Sequence, residues 1–287
     1  MVHKPRVIMY YQTITSLKPI LISPNPITHI HASSIHFGMD TQNKPYIHFN
    51  DLSPYNYTFD TVWNELEQAS KLGIKVKLMV GGAGGGYSTL FSNYTLFYGY
   101  LAELLRKKPF ISGIDLDIEE SVSLENVKML IRSLKTDFGG GLTLSMAPIQ
   151  SSLEVDEPGI GGFIYKDLLK SPEGTFIDYL NVQFYSDFSY DAYEKIIANG
   201  YLPEMIVMGA LAGTNNDTEL GKVVEQYKQC FGGVFVWEYC FAKPSPLGWA
   251  NNMWIIINGN ISNGTYSDKV EAECPRLFSF FTNWKKN

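Results

Sequence analysis

The sequence predicts an α/β protein folded as a (β/α)8 barrel of the TIM type, a single domain over residues 1–287 with its core at about 6–259. Three observations carry that prediction. Eight short apolar runs recur along the chain, amphipathic segments of helical period lie between most of them, and the first run is not followed by a glycine-rich phosphate turn. Strands that alternate with helices are joined by crossovers, which keep the sheet parallel. An open doubly wound sheet would carry its glycines after the first strand, and "MYYQTITS" (9–16) has none. The glycine-rich "GGAGGGYS" (81–88) follows the third strand instead and lacks the Gly-Lys-Ser/Thr ending of a P-loop. It reads as a loop whose backbone passes close to another group.

The elements follow in order. "RVIMYYQ" (6–12) predicts the first strand and "THIHASSIHFG" (28–38) the second. "FDTVWNELEQASKLG" (59–73) has helical spacing, with Val62, Leu66 and Leu72 toward one face and Gly73 as a stop. "KVKLMVGG" (75–82) is the third strand. "NYTLFYGYLAELLRKK" (93–108) is a helix ending in basic residues that suit its dipole. "SGIDLDIEE" (112–120) is the fourth strand. "SLENVKMLIRSLKTDFGG" (123–140) opens with Ser123 as N-cap, carries Val127, Leu130, Ile131 and Leu134 on one face, and ends in glycines. "LTLSMAP" (142–148) is the fifth strand, followed by an irregular segment to residue 174 containing "DEPGIGG". "DYLNVQFY" (178–185), "EMIVMGALAG" (204–213) and "GGVFVWEY" (232–239) complete the strands. Helices are expected at 189–200, at 217–230 behind an acidic cap, and at 245–259. Residues 260–287 form a C-terminal extension whose aromatics are expected to pack on the barrel.

Composition removes several classes of function. The formal net charge is −6 and no long basic run occurs, so neither nucleic acid nor an anionic membrane is an expected partner. No stretch approaches about 18 uninterrupted apolar residues, so no membrane span is expected. The N-terminus shows no apolar leader, which predicts a cytoplasmic or unconventionally exported chain. Five Asn-x-Ser/Thr sequons, at Asn56, Asn93, Asn216, Asn260 and Asn263, do not by themselves establish secretion. Cys230, Cys240 and Cys274 form an odd set without CxxC spacing, so neither a disulfide framework nor a zinc site is expected. No cofactor or metal is expected, and the chain is expected to be a monomer.

The chemistry concentrates in "FISGIDLDIEES" (110–121). Asp115, Asp117 and Glu119 alternate with Leu116 and Ile118, and Glu120 follows. Strand side chains alternate between faces, so the three carboxylates share one face and the two aliphatics the other. In a barrel that face points inward, with Glu119 nearest the C-terminal rim where barrel enzymes place their chemistry. Alternate residues lie only ~6.6 Å apart along a strand. Three ionised carboxylates so close repel, so at least one should hold a proton near neutrality. A carboxyl that keeps its proton is suited to general acid catalysis. An oxygen-ligand site for Mg²⁺ or Ca²⁺ is the second functional reading, ranked lower because no matching acidic or His cluster stands at other strand ends. A solvent-facing acidic strand is the structural reading, and the apolar flanks argue against it.

The motif "SGIDLDIEE" resembles the D-G-x-D-x-D-x-E signature of glycoside hydrolase family 18, the chitinase and endo-β-N-acetylglucosaminidase family. "KVKLMVGG", "VQFY" and "GGVFVWEY" resemble its third-, sixth- and eighth-strand motifs in family order, so the similarity spans residues 7–239. The resemblance implies Glu119 as general acid, Asp117 as the residue orienting the substrate's acetamido group, Asp115 as its buried proton-sharing partner, and Tyr185 as the catalytic tyrosine. It implies substrate contacts at Trp237 (the sugar floor), Gln183, Tyr10, Gly81, Gly82 and Met146. It further implies retaining, substrate-assisted cleavage of β-1,4 N-acetylglucosamine linkages in a polysaccharide or oligosaccharide. An endoglycosidase acting on N-glycan cores and a catalytically weak lectin-like protein are the alternatives. The chain departs from the pattern at Ser112, where the family has Asp, at Met79, where a Ser is common, and at Ser186–Asp187 after the tyrosine. Ser112 is expected to remove a charge beneath Asp115. Lectin-like members lose the position of Glu119; this chain keeps it, which favours an enzyme. One helix fills residues 213–232, which predicts an open groove suited to endo cleavage.

Overall fold

The computed structural model describes residues 4–259. The chain order is β1 (Arg6–Tyr11), β2 (His29–Met39), β3 (Pro45–Phe49), α1 (Asp60–Lys71), β4 (Lys75–Gly81), α2 (Tyr87–Ser92), α3 (Tyr94–Lys107), β5 (Ile111–Asp117), α4 (Leu124–Phe138), β6 (Thr143–Met146), α5 (Ser151–Glu154), α6 (Tyr165–Lys170), β7 (Ile177–Gln183), α7 (Tyr190–Ala198), β8 (Ile206–Leu211), α8 (Asp217–Tyr227), β9 (Gly233–Trp237) and α9 (Pro246–Asn258). The sheet runs β1-β9-β8-β7-β6-β5-β4-β2, and β1 pairs with β2 to close it. All eight barrel pairings are parallel. The predicted (β/α)8 barrel is therefore the observed fold.

Two apolar layers hold it. Inside the barrel, Ile8, Tyr10, Met79, Tyr179, Val207 and Phe235 form one cluster. A larger cluster between sheet and helices takes the outward-facing residues of the strands, such as Val7 and Met9 of β1 and Ile114 and Leu116 of β5. The period-2 alternation of each strand is what feeds both layers at once.

Helix starts follow side-chain capping. Ser123, Ser189 and Ser245 accept backbone N–H bonds at the starts of α4, α7 and α9. The start of α8 differs from expectation: Asn216, rather than Asp217, accepts from the Thr218 and Glu219 N–H groups. Leu72 is not on the buried face of α1. It sits past the last turn and is 41% exposed, while Val62, Trp63, Leu66 and Ala69 make the contact.

Three elements escape the periodic pattern. β2 runs eleven residues, longer than the barrel needs, and its outer half pairs antiparallel with β3 from Ile35↔Phe49 to Met39↔Pro45. α2 begins inside the glycine-rich loop. The segment read as irregular between residues 149 and 174 contains α5 and α6, both too short for a period to show.

Gly113 fixes a point in the barrel interior. A Cβ there would collide with Cε of Lys77 and with the carbonyl and hydroxyl oxygens of Thr143. Two of those three neighbours belong to a strand that cannot retreat. Gly113→Ala is expected to destabilise the fold by roughly 1–3 kcal/mol, the usual cost of overpacking. A urea midpoint equal to the parent's would show that the interior has slack at this position.

No disulfide joins Cys230 to Cys240. Among the described residues no helix is long and apolar enough to cross a membrane. The C-terminal extension, Cys274, Asn260 and Asn263 lie outside the described residues.

Candidate active site

The acidic row sits where β5 leaves the barrel. β5 ends at Asp117, so Asp115 and Asp117 are strand residues and Glu119 is not. Glu119 belongs to the loop before α4, and period-2 spacing alone does not place it. Gln183, the last residue of β7, does the joining: its Nε2 lies 3.4 Å from Asp117 Oδ1 and 3.4 Å from Glu119 Oε1, and donates to the Ala147 carbonyl at 3.0 Å. Asp115 and Asp117 are buried, and Glu119 is partly exposed at the rim.

The glycine-rich loop serves this row. Gly82 N–H donates to the Asp117 carbonyl at 2.8 Å. Gly81 and Gly82 both have positive φ, and a Cβ on Gly81 would strike that same carbonyl. Their side-chain-free backbone therefore supports Asp117; as buried backbone they form a wall behind the carboxylate. Glu120 does not join the row. Its two oxygens accept the Tyr87 and Ser88 N–H groups at 2.6 and 3.2 Å, capping α2.

Asp115 is enclosed from below. It accepts from Tyr10 Oη at 2.6 Å, from Ser145 Oγ at 2.5 Å and from Asn181 Nδ2 at 3.0 Å, and His31 Nδ1 lies 3.4 Å away. Lys77, fully buried, donates to Ser145 Oγ at 2.8 Å and to Tyr179 Oη at 3.2 Å. Burial pushes the Asp115 carboxyl up, but His31, Lys77 and the Ser145 bond together outweigh it and hold the group below the usual range. Asp117 moves the other way. Burial, then Glu119, then Asp115, raise it well above an ordinary carboxylate. Burial lowers Lys77 to about 7 and also lowers His31. The row thus pairs a lower carboxylate whose neighbours favour its ionised form with a middle one whose surroundings favour keeping a proton.

A stability consequence follows for Asp117. Its folded value lies above the unfolded one of ~3.9, so its contribution is full below that pH and is lost as pH rises through the folded value. Asn keeps the shape and has no charge to expose. Asp117→Asn is expected to be more stable than the parent by roughly 1–2 kcal/mol above neutrality, with the gap growing between pH 5 and pH 8. Urea unfolding at the two pH values checks this; an unchanged gap would mean that Asp117 is not protonated.

Tyr185 lies two residues past β7, and Trp237 is the last residue of β9; both are partly exposed and rest on the interior cluster. The Trp237 ring centroid is 5.3 Å from that of Tyr10, and Tyr185 is 6.2 Å from Phe235. Burial, then Asp117, Glu119 and Asp115, push the Tyr185 phenol well up, so it remains a donor.

Three expectations are corrected. Tyr10 does not line the groove: it is buried beneath Trp237 and spends its hydroxyl on Asp115. Met146 does not reach the site. Ser145 points inward to Asp115, so its neighbour faces the helix layer, where Met146 is buried in the outer cluster. Ser112 removes no charge beneath Asp115. It is three residues away and so on the opposite face, and its Oγ donates to the Val76 carbonyl. The residue below Asp115 on the inner face is Gly113. Met79 does face inward, and Ser33 Oγ lies 3.1 Å from its sulfur.

His31, Lys77, Ser145, Tyr179 and Asn181 belong to the site without any motif to mark them. The one signal in the sequence is parity: Lys77 shares a face with Met79, and Tyr179 and Asn181 share one with Gln183. Glu238 is a further buried carboxylate, accepting the Gln12 and Thr13 N–H groups at 3.0 and 3.1 Å and so fixing the loop after β1 beside Trp237. Among the described residues no group of three or more His, Cys, Asp or Glu is placed to hold a metal ion.

No protein-family model and no curated protein matches the chain. Solved structures do. A fungal endo-β-N-acetylglucosaminidase from glycosyl hydrolase family 18 is 31% identical, with 90% of this chain and 99% of that one covered and a TM-score of 0.79. The chitinase ChiC from Aspergillus fumigatus is 30% identical over 87% of this chain and 98% of that one, with a TM-score of 0.75. A GH18 chitinase from Pseudoalteromonas aurantia is 19% identical over 88% and 99%, TM-score 0.70, a likeness of fold.

Proposed function

Because the chain belongs to glycoside hydrolase family 18 and is a glycosidase, we infer that it hydrolyses β-1,4 linkages that follow an N-acetylglucosamine unit, as in chitin and chitooligosaccharides, with retention of anomeric configuration. The observation that carries this reading is the Gln183 amide set between Asp117 and Glu119 at the barrel rim, above an Asp115 held ionised. It supports two carboxyl groups serving one sugar unit, Asp117 in surroundings that favour its proton and Glu119 partly open to solvent.

Each residue then has a task. Glu119 gives its proton to the glycosidic oxygen as the bond to the anomeric carbon breaks. The substrate's own acetamide carbonyl oxygen attacks that carbon and forms an oxazolinium ion, so no enzyme nucleophile is needed. Asp117 holds the acetamide N–H, and the Tyr185 hydroxyl, kept a donor by its raised value, holds the acetamide oxygen in line, which converts the attack into a positioned intramolecular step. Water then adds to the anomeric carbon as that carbon's bond to the acetamide oxygen breaks, and Glu119 takes a proton from the water. Trp237 supplies an apolar face for the sugar ring, seated on Tyr10.

The fungal endo-β-N-acetylglucosaminidase among the similar structures supports a second substrate, the chitobiose core of N-glycans, by the same chemistry. Only α8 spans the gap between β8 and β9, so no inserted domain walls the groove there. The test compares chitotetraose, an N-glycan with an intact core, and cello-oligosaccharides, which lack the acetamide. Turnover of either of the first two, with none of the third and a β product, is expected. Cleavage of the cello-oligosaccharide would sink substrate assistance.

A further inference from the structure

The interior below Asp115 holds more polar machinery than the reaction scheme uses. Lys77 Nζ donates 2.8 Å to Ser145 Oγ, which donates 2.5 Å to Asp115 Oδ1. On the other side Lys77 Nζ lies 3.2 Å from Tyr179 Oη, Tyr179 Oη 3.2 Å from His31 Nε2, and His31 Nδ1 3.4 Å from Asp115 Oδ2. The two chains close a ring from one ammonium to both oxygens of one carboxylate. The directions agree throughout. A Lys can only donate, so Tyr179 accepts from it and donates to His31 Nε2, which leaves the Nδ1 hydrogen for Asp115. Asn181 and Tyr10 add donors to the same carboxylate. All of these residues come from strands of the closed barrel and all are buried.

We propose that Lys77 is a positioning residue for the hydrolysis: through Ser145 on one side and Tyr179 and His31 on the other, it holds Asp115 ionised, so that the proton of the acidic row stays on Asp117, where the substrate's acetamido group is met. This rests on the glycosidase reading above and deepens it. Lys77 touches no substrate; it acts through Asp115.

The space for it is built. Gly113 offers no Cβ where the Lys77 stem passes, and Tyr179 lays its ring 4.4 Å from Nζ. A buried ammonium with no carboxylate in reach would be strongly disfavoured. The charged and titratable groups facing Lys77 are Asp115 and Asp178, which favour its charge, Arg6 and Lys135, which oppose it, and Tyr179, His29 and His31 on the neighbouring strands. Burial brings Lys77 to about 7, so the cation beneath Asp115 is itself lost as pH rises above neutrality.

The experiment has two readouts on Lys77→Met, which keeps the stem and removes the charge. Carboxyl 13C NMR of aspartate-labelled protein follows Asp115 directly. Its titration is expected to move up by about one pH unit or more, because a nearby cation ordinarily lowers a carboxyl by about 1–3 units. The kcat/KM profile on chitotetraose is the second. Below about pH 7, where the parent's Lys77 is charged, the variant's acidic row should keep its last proton to higher pH, so the two profiles should differ there with KM changed less than about threefold, and converge above it as the parent loses that charge. Tyr179→Phe, which cuts only one side of the ring and removes a single oxygen, should shift both readouts in the same direction by a smaller amount, and it decides the matter if Lys77→Met does not fold. An Asp115 titration unchanged in the folded variants overturns the proposal, as does a change confined to KM. The two readings fail separately: a parent without turnover removes the glycosidase assignment, while the carboxyl signals still report whether the ring holds Asp115 ionised.

Discussion

Glu119→Gln is expected to lower kcat by about a thousandfold, inside the ~10²–10⁴ range for a positioned general acid, with binding of chitooligosaccharide retained. The substitution is close to isosteric. Its carbonyl oxygen can still accept the Gln183 amide that now reaches Glu119 Oε1 at 3.4 Å. Glu119 is partly exposed in a loop, so the fold has little at stake in its charge. What disappears is the proton for the leaving oxygen. Turnover of chitotetraose and calorimetric binding of the same sugar separate the two effects. Loss of binding in step with loss of rate would mean that Glu119 holds substrate instead of protonating it. Retention of more than a tenth of the parent kcat would move the acid to another residue.

Asp115→Ala is expected to have the largest effect on stability, about 3–5 kcal/mol, the usual result of removing one member of a buried charged cluster. The lost carboxylate now accepts from Tyr10, Ser145 and Asn181 and balances Lys77 and His31. Alanine leaves those donors without an acceptor, in a place too tightly enclosed for bulk water to replace it. Activity should fall as well, because Asp117 loses one of the two negative neighbours that raise it. Urea unfolding reads the first effect, and an unchanged midpoint would show that the cluster contributes nothing net to the fold.

The barrel is legible in the sequence because eight strands repeat one constraint: parallel strands buried on both faces leave apolar runs separated by amphipathic helices. Asp115 and Asp117 are legible because alternating acids between apolar flanks must share one buried face, where repulsion sets their protons; Glu119 lies past the strand end, and the loop places it. Legibility fails where parity or length runs out. Met146 sits next to an inward residue, and its neighbourhood suggests the groove, while alternation sends it to the helix layer. Ser112 occupies a motif position that suggests a charge lost beneath Asp115, although an odd spacing puts it on the other face. Lys77 hides because a lysine two residues into a strand usually reaches solvent; its shared parity with Met79 is the one sequence sign that it turns inward, and its pairing with Gly113 across β4 and β5 supplies the room. β3 has no helix before it, and α5 and α6 are shorter than two turns, so none of the three announces itself by period.

The fit of Lys77 over Gly113 also constrains how this interior can change by descent. With lysine at 77, every residue larger than glycine at 113 collides with its stem or with Thr143. With a short residue at 77, glycine at 113 leaves a hole, and Asp115 loses a cation. Shortening residue 77 clears only one of those contacts, because a Cβ at 113 would still strike the Thr143 carbonyl, so glycine stays required there whatever stands at 77. Position 113 is therefore expected to admit only glycine while 77 varies within the room that glycine leaves, and a library randomised at 77 and 113 together should yield folded members that all keep Gly113.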